Sequence, residues 1–178
     1  MIILGVDPGT LHTGYGVVEV IGGRERAVDF GVIHTTIGAD HSLRLDEIYR
    51  GLIAVLDATK PDECAVEMPV YSQNAQAMLK LGRAQAAAML AAMHRQVPIT
   101  QYTPAEVKKS VTGNGRASKE QIGFMIRSLL KLADVQRHDA SDALAVALCH
   151  AHRGRQQPGS GGFKDWKSFV AANPGRVR

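Results

Sequence analysis

Cysteine is scarce in this chain, and long apolar runs and a lopsided charge are missing. Only 2 of its 178 residues are Cys, too few for a disulfide framework and in keeping with a reducing compartment. No apolar run approaches the ~18 residues that span a bilayer, so no membrane partner is expected. The opening Met-Ile-Ile-Leu-Gly-Val-Asp has no basic flank and soon breaks into turn residues, which speaks against a secretory leader. A cytoplasmic protein is therefore expected. The 21 Lys and Arg against 17 Asp and Glu leave a formal charge of +4, an excess that suits a polyanionic partner without requiring one. No internal repeat is visible. What is present is 45% apolar and 21% charged residues, the mix of a folded domain rather than a disordered chain. At this length one domain is expected, able to bury roughly 70% of its unfolded surface.

Residues 2–6 form a short apolar run that stops at Asp7-Pro8-Gly9-Thr10, which predicts a buried strand ending in a turn. Residues 14–21 and 27–36 are rich in Val and Ile, with Gly22-Gly23 between them as a hairpin turn. From Ser42 apolar residues recur at three- and four-residue spacing, predicting an amphipathic helix closed by Pro61. Residues 63–67 predict a strand stopped by Pro69, and 74–96 a long helix capped by Asn74. The second half of that helix, 84–93, is apolar nearly all round and needs cover on both sides; a second subunit and the chain's own neighbours are both open as that cover. Residues 98–102 predict a last strand. Thr103-Pro104-Ala105-Glu106 then spells a capping box that opens a short helix. Further helices are expected from Ser118 to Leu132 and from His138 to about His152. Beyond them lies a Gly-, Pro- and Arg-rich tail, expected to be mobile. The division is a domain over 1–152 and a basic tail over 153–178. The order βββαβαβααα predicts an α/β fold, a mixed five-stranded sheet with helices on both faces.

Four carboxylates stand at element ends in apolar surroundings. Asp7 follows the first strand and Glu67 ends the fourth, sharing a face with Ala65. Asp139 and Asp142, three apart, share a helix face whose continuation is Val146 and Cys149, so both point inward. Inward carboxylates are costly unless neutralised, so a cluster of them holds protons or cations. Oxygen ligands without convergent Cys favour Mg²⁺ or Mn²⁺ over Zn²⁺, and two such ions about 4 Å apart serve phosphodiester hydrolysis. Cys149-His150-x-His152 lacks the spacing of a zinc site; a buried Cys beside surface histidines is expected. Met78, Met89 and Met93 read as helix packing.

Asp7-Pro8-Gly9-Thr10 with Thr13-Gly14-Tyr15-Gly16, Val66-Glu67, Asn74 with Leu79-Lys80-Leu81-Gly82, and Asp139-Ala140-Ser141-Asp142-Ala143-Leu144-Ala145 together resemble the RuvC family of bacterial crossover-junction endodeoxyribonucleases. The likeness covers about residues 1–152. It implies a ribonuclease H-like fold, a homodimer, contact with a RuvA–RuvB branch-migration complex, and Mg²⁺-dependent cleavage of four-way (Holliday) junction DNA, two strands being nicked symmetrically. By position, Asp7, Glu67, Asp139 and Asp142 resemble the family's metal-holding acids, serving two Mg²⁺ per site with Mn²⁺ as a substitute. Lys108 and Lys119 resemble its basic residues near the scissile phosphate, and Arg116 and His138 are taken as DNA contacts beside them. The family stacks an aromatic on bases in the loop after Glu67; here Val70 falls at that position and neighbouring Tyr71 is the choice for it.

A ribonuclease H acting on RNA–DNA hybrids keeps the same fold and is the alternative function. An actin-type ATPase needs a second domain that this chain is too short to supply. A silent DNA-binding subunit would be hindered by four inward acids.

Overall fold

A computed structural model describes residues 1–69, 74–133 and 138–155, with the side chains of 138, 154 and 155 set aside. Three strands open the chain: β1 (Ile2–Asp7), β2 (His12–Ile21) and β3 (Arg24–His34). Next come α1 (His41–Thr59), β4 (Glu63–Glu67), α2 (Ala75–His94) and β5 (Ile99–Tyr102). Three helices follow: α3 (Pro104–Thr112), α4 (Lys119–Leu130) and α5 (His138–Arg155). The order matches the sequence expectation, although α5 continues to Arg155 rather than ending near His152.

The five strands stand in the order β3-β2-β1-β4-β5. The β1–β2 and β2–β3 pairs are antiparallel, while β1–β4 and β4–β5 are parallel. Gly22 and Gly23 turn the hairpin with φ of 55° and 79°, the backbone a two-residue turn of matching twist requires. Because β1 and β4 run side by side with Val6 opposite Val66, Asp7 and Glu67 finish at the same end of the sheet.

Each face of the sheet carries its own core. Leu4, Val6, Val17, Cys64 and Val66 pack under α1 and α2; Ile3, Val18 and Ala65 pack under α3, α4 and α5. From Ala140 to Ala151 every residue of α5 except Asp142 is buried, and Leu144, Val146 and Leu148 are sealed completely. Full burial of a large aliphatic side chain is worth roughly 1.5–3 kcal/mol, so α5 is held firmly to the sheet. It lies unusually close. A Cβ on Gly5 would sit 2.2 Å from the Ala143 carbonyl oxygen, and one on Gly14 would sit 2.1 Å from that of Asp139. Only glycine leaves room for helix backbone at those two strand positions.

The helix caps follow the expected chemistry. Asn74 accepts from Ala77 N–H at 3.0 Å, Thr103 and Glu106 close a capping box, and Ser118 with Gln121 close a second at the start of α4.

Three expectations are corrected. His150 is buried, not on the surface: Nδ1 lies 2.9 Å from the Tyr102 hydroxyl and Nε2 pairs with Glu63. His152 is half-buried, 3.1 Å from Ser110 Oγ and 3.5 Å from Glu25. Both are drawn inward because α5 is covered on all sides. Met93, expected to pack, is 59% exposed. On α2 the residues Ala84, Ala87, Ala88, Ala91 and Ala92 are buried against the chain's own core, while Leu79, Ala86, Leu90 and Met93 form an exposed stripe at helical spacing. The chain therefore covers one side of this apolar helix and leaves the other open. Among the described residues no helix is long and apolar enough to cross a membrane.

Candidate active site

At the end of the sheet where β1 and β4 finish, a cavity of about 300 Å³ is lined by Asp7, Glu67, Asp142, Lys108 and Lys119, among others. Five elements converge there: β1 supplies Asp7, β4 Glu67, α5 Asp142, α3 Lys108, and Lys119 begins α4. Leu81 of α2 closes one wall. The turn after Asp7 is latched by Thr13, fully buried, whose hydroxyl donates to the Gly9 carbonyl at 2.7 Å and accepts from the Gly9 N–H at 3.4 Å. Gln85 of α2 donates to the Glu67 carbonyl at 3.4 Å and to Gln101 Oε1 at 2.9 Å, tying β4 and β5 at the rim. Gln85 went unnoticed in the sequence, where only a polar residue inside an alanine run marks it.

Two of the acids, Asp7 and Glu67, are strongly perturbed. Burial, the charge of Asp7 and a hydrogen bond to it push the Glu67 carboxyl up to about 8, with Asp142 adding to the rise. Asp7 rises to about 6, chiefly through burial; its hydrogen bond with Glu67 works against the rise, and the charges of Asp142 and Asp139 work with it. The two directions describe one shared proton, held on Glu67 and offered to Asp7. Asp142 is met by Lys119, Nζ to Oδ2 3.4 Å, and that carboxylate raises the ammonium's own pKa. Carboxyls raised so far by burial and by their neighbours' charge in one cleft are a mark of functional sites.

The expected residues divide into groups. Asp7, Glu67, Asp142, Lys108 and Lys119 line the cavity. Asp139 is half-buried in the first turn of α5 and outside the cavity lining, but its charge reaches both Asp7 and Lys119. Arg116 is exposed on the loop before α4, also off the lining. Val70 and Tyr71, together with the side chain of His138, lie outside the described residues.

All the facing acids offer carboxylate oxygens, the donors that hard divalent cations prefer. Among the described residues no three His, Cys, Asp or Glu side chains already surround one point as ligands. A shared proton and the Lys119 ammonium moderate the charge of the cluster instead. Both occupy positions that a cation of higher charge density would contest, so the donor chemistry is compatible with such an ion.

A family model described as crossover junction endodeoxyribonuclease RuvC matches residues 3–150. A protein of that name from Salinibacter ruber is 58% identical over 178 residues, covering 99% of both chains. One from Porphyromonas gingivalis is 44% identical over 183 residues, covering 99% of this chain and 97% of the other. Among solved structures, Thermus thermophilus RuvC in complex with a Holliday junction substrate superposes with a TM-score of 0.82 at 34% identity, covering 87% of this chain and 95% of that one.

Proposed function

Because the chain belongs to the RuvC family of crossover junction endodeoxyribonucleases, with its ribonuclease H-like fold, we propose that its acid-lined cavity cuts four-way junction DNA by hydrolysis of two strands near the crossover. The protein is a nuclease. The observation that carries the reading is the meeting of Asp7, Glu67 and Asp142 from three distant parts of the chain in one cavity with two lysines. The Thermus relative bound to a Holliday junction supports the choice of substrate, and nothing in the site favours an RNA–DNA hybrid.

Asp7, Glu67 and Asp142 would hold Mg²⁺, with Asp139 as the fourth acid. A divalent ion bound there supplies the Lewis acidity that phosphodiester hydrolysis needs. The chain's own groups do the rest. Lys119 and Lys108 present compact positive charge to the scissile phosphate and to the charge that builds on its oxygens. To hold such an ion, Glu67 and Asp7 would have to release the proton they share. Thr13 and Gln85 position the two acids through the backbone of their strands.

The reading includes a homodimer, supported by the exposed stripe of Leu79, Ala86, Leu90 and Met93 on α2, so that two cavities face two strands. It places Tyr71, Arg116 and His138 on the DNA around the cut, treats 153–178 as a basic appendage to a domain over 1–152, and sets the work in the cytoplasm beside a RuvA–RuvB complex. The buried free thiols of Cys64 and Cys149 are compatible with that compartment. Incubation with Mg²⁺ and a labelled four-way junction, a linear duplex and an RNA–DNA hybrid tests the assignment. Paired nicks confined to the junction are expected, and cleavage confined to the hybrid would overturn it.

A further inference from the structure

A group of basic side chains lies outside the acid cavity, where α1 packs on α2. His41 and Arg44 occupy the first turn of α1; Lys80 and Arg83, three residues apart, share a face of α2. Burial of the His41 ring lowers its affinity for a proton, and the charges of Arg83, Lys80 and Arg44, all close enough to be felt there, lower it further. None of Arg44, Lys80 and Arg83 forms an ion pair among the described residues. The nearby carboxylate of Glu47 is committed elsewhere, to the Thr36 N–H at 2.8 Å and the Thr36 hydroxyl at 2.6 Å. His41 Nε2 and Arg44 Nε are shielded from solvent and have no hydrogen-bond partner among the described residues. Glu47 also feels the charge of Arg44, but one carboxylate against Arg44, Lys80 and Arg83 leaves an excess of positive charge that raises the local potential for anions.

We propose that Arg44, Lys80 and Arg83, with His41 between them, form a phosphate-binding site that grips the sugar–phosphate backbone of one duplex arm outside the cutting cavity. Placement supports that occupant. Leu81, between Lys80 and Arg83 in sequence, lines the acid cavity, so a strand leaving that cavity passes the basic group within one turn of the same helix. Contacts of this kind carry no sequence information and fix where the duplex lies. The inference rests on the reading of the chain as a junction nuclease.

The test is binding of a fluorescent four-way junction and of a linear duplex in EDTA, from about 50 to about 200 mM salt. Wild-type protein is compared with the combined variant Arg44→Gln, Lys80→Gln, Arg83→Gln. Arg24→Gln, at the hairpin on the opposite end of the sheet, is the control. Each phosphate contact contributes about 0.9 to the slope of log affinity against log salt. For one engaged site, wild-type protein should therefore lose about 40 times more affinity than the triple variant over that range. The control and the charge-preserving Arg44→Lys, Arg83→Lys protein should follow wild type. The melting temperature of the triple variant should not fall, because repulsion is being removed. Should it misfold, the single variants decide, each lowering the slope by about 0.9. Equal slopes in folded variant and wild type would overturn the proposal. A wild-type protein with no preference for the junction would refute the substrate reading instead, while the duplex slopes still decide whether phosphates are held here.

Discussion

Asp7 and Glu67 titrate well above their ordinary values of 3.8 and 4.5, at about 6 and about 8, so near neutrality the folded chain binds more protons than the unfolded one. Their contribution to stability is complete below about pH 4 and is lost as pH rises through 6 and then 8. Protein stripped of divalent ions should melt at progressively lower temperature from about pH 5 to about pH 9, by several degrees. Added Mg²⁺ should raise the melting temperature far more at the alkaline end, where it replaces the departed proton. Calorimetry across that range checks both, and a flat profile without metal would contradict the shared-proton arrangement. Asp7→Asn removes one charge of the pair. It should flatten the profile and bring cutting below detection while leaving junction binding nearly intact, read by nicking and gel-shift assays. Lys119→Met keeps the acids and should slow single-turnover cutting by roughly 10²-fold. These acids were legible in the sequence because each interrupts an apolar stretch at an element end. His150 was not: nothing in Cys149-His150-Ala151-His152 announces that Tyr102 and Glu63, distant along the chain, would receive its ring.

At the level of elements, the acids depend on how closely α5 approaches β1 and β2. Gly14 pairs with Asp7 across the strands and touches the Asp139 carbonyl, so one residue sets the spacing between two of the acid-bearing elements. Gly14→Ala should cost about 1–3 kcal/mol of stability through overpacking. It should also lower cutting well beyond any loss of junction binding, because the first turn of α5 must lift. Denaturant titration and single-turnover cutting measure the two effects separately. The Thr103–Glu106 capping box and the hairpin were readable from local chemistry, while the Ser118–Gln121 box appeared only in the structure. The glycine contacts were not, since they join residues more than a hundred positions apart, and a glycine in a strand does not reveal what approaches it. The all-round apolar half of α2 was readable as a helix in need of cover, but not which side faced which neighbour. Ala88 turns out to be 2% exposed within the chain's own core and Leu90 48% exposed. Leu90→Glu should therefore give folded monomers by light scattering, whereas Ala88→Arg should fail to fold.

For the whole molecule, symmetric cutting requires two complete cavities on one junction. On the proposed homodimer, mixing wild-type protein with an excess of Asp7→Asn and allowing subunits to exchange should leave most active assemblies with a single working cavity. On a plasmid cruciform they should leave nicked circles in place of linear product, and unchanged linear product would show that one subunit makes both cuts. The element order and the mixed sheet with helices on both faces followed from the sequence pattern, which changes period at the boundaries; the order of the strands within the sheet did not. The meeting of α1 and α2 basic residues did not, because each cation taken singly looks like ordinary solvated surface.

The three carboxylates on the cavity come from positions 7, 67 and 142, spread over most of the polypeptide. A ribosome delivering this chain has built β1 and β4 long before α5 emerges. Any product of stalled translation or early proteolysis that ends before α5 lacks Asp142 and the helix that seals one face of the sheet. With the acid cavity so incomplete, fragments of this kind should leave a four-way junction uncut in a nicking assay.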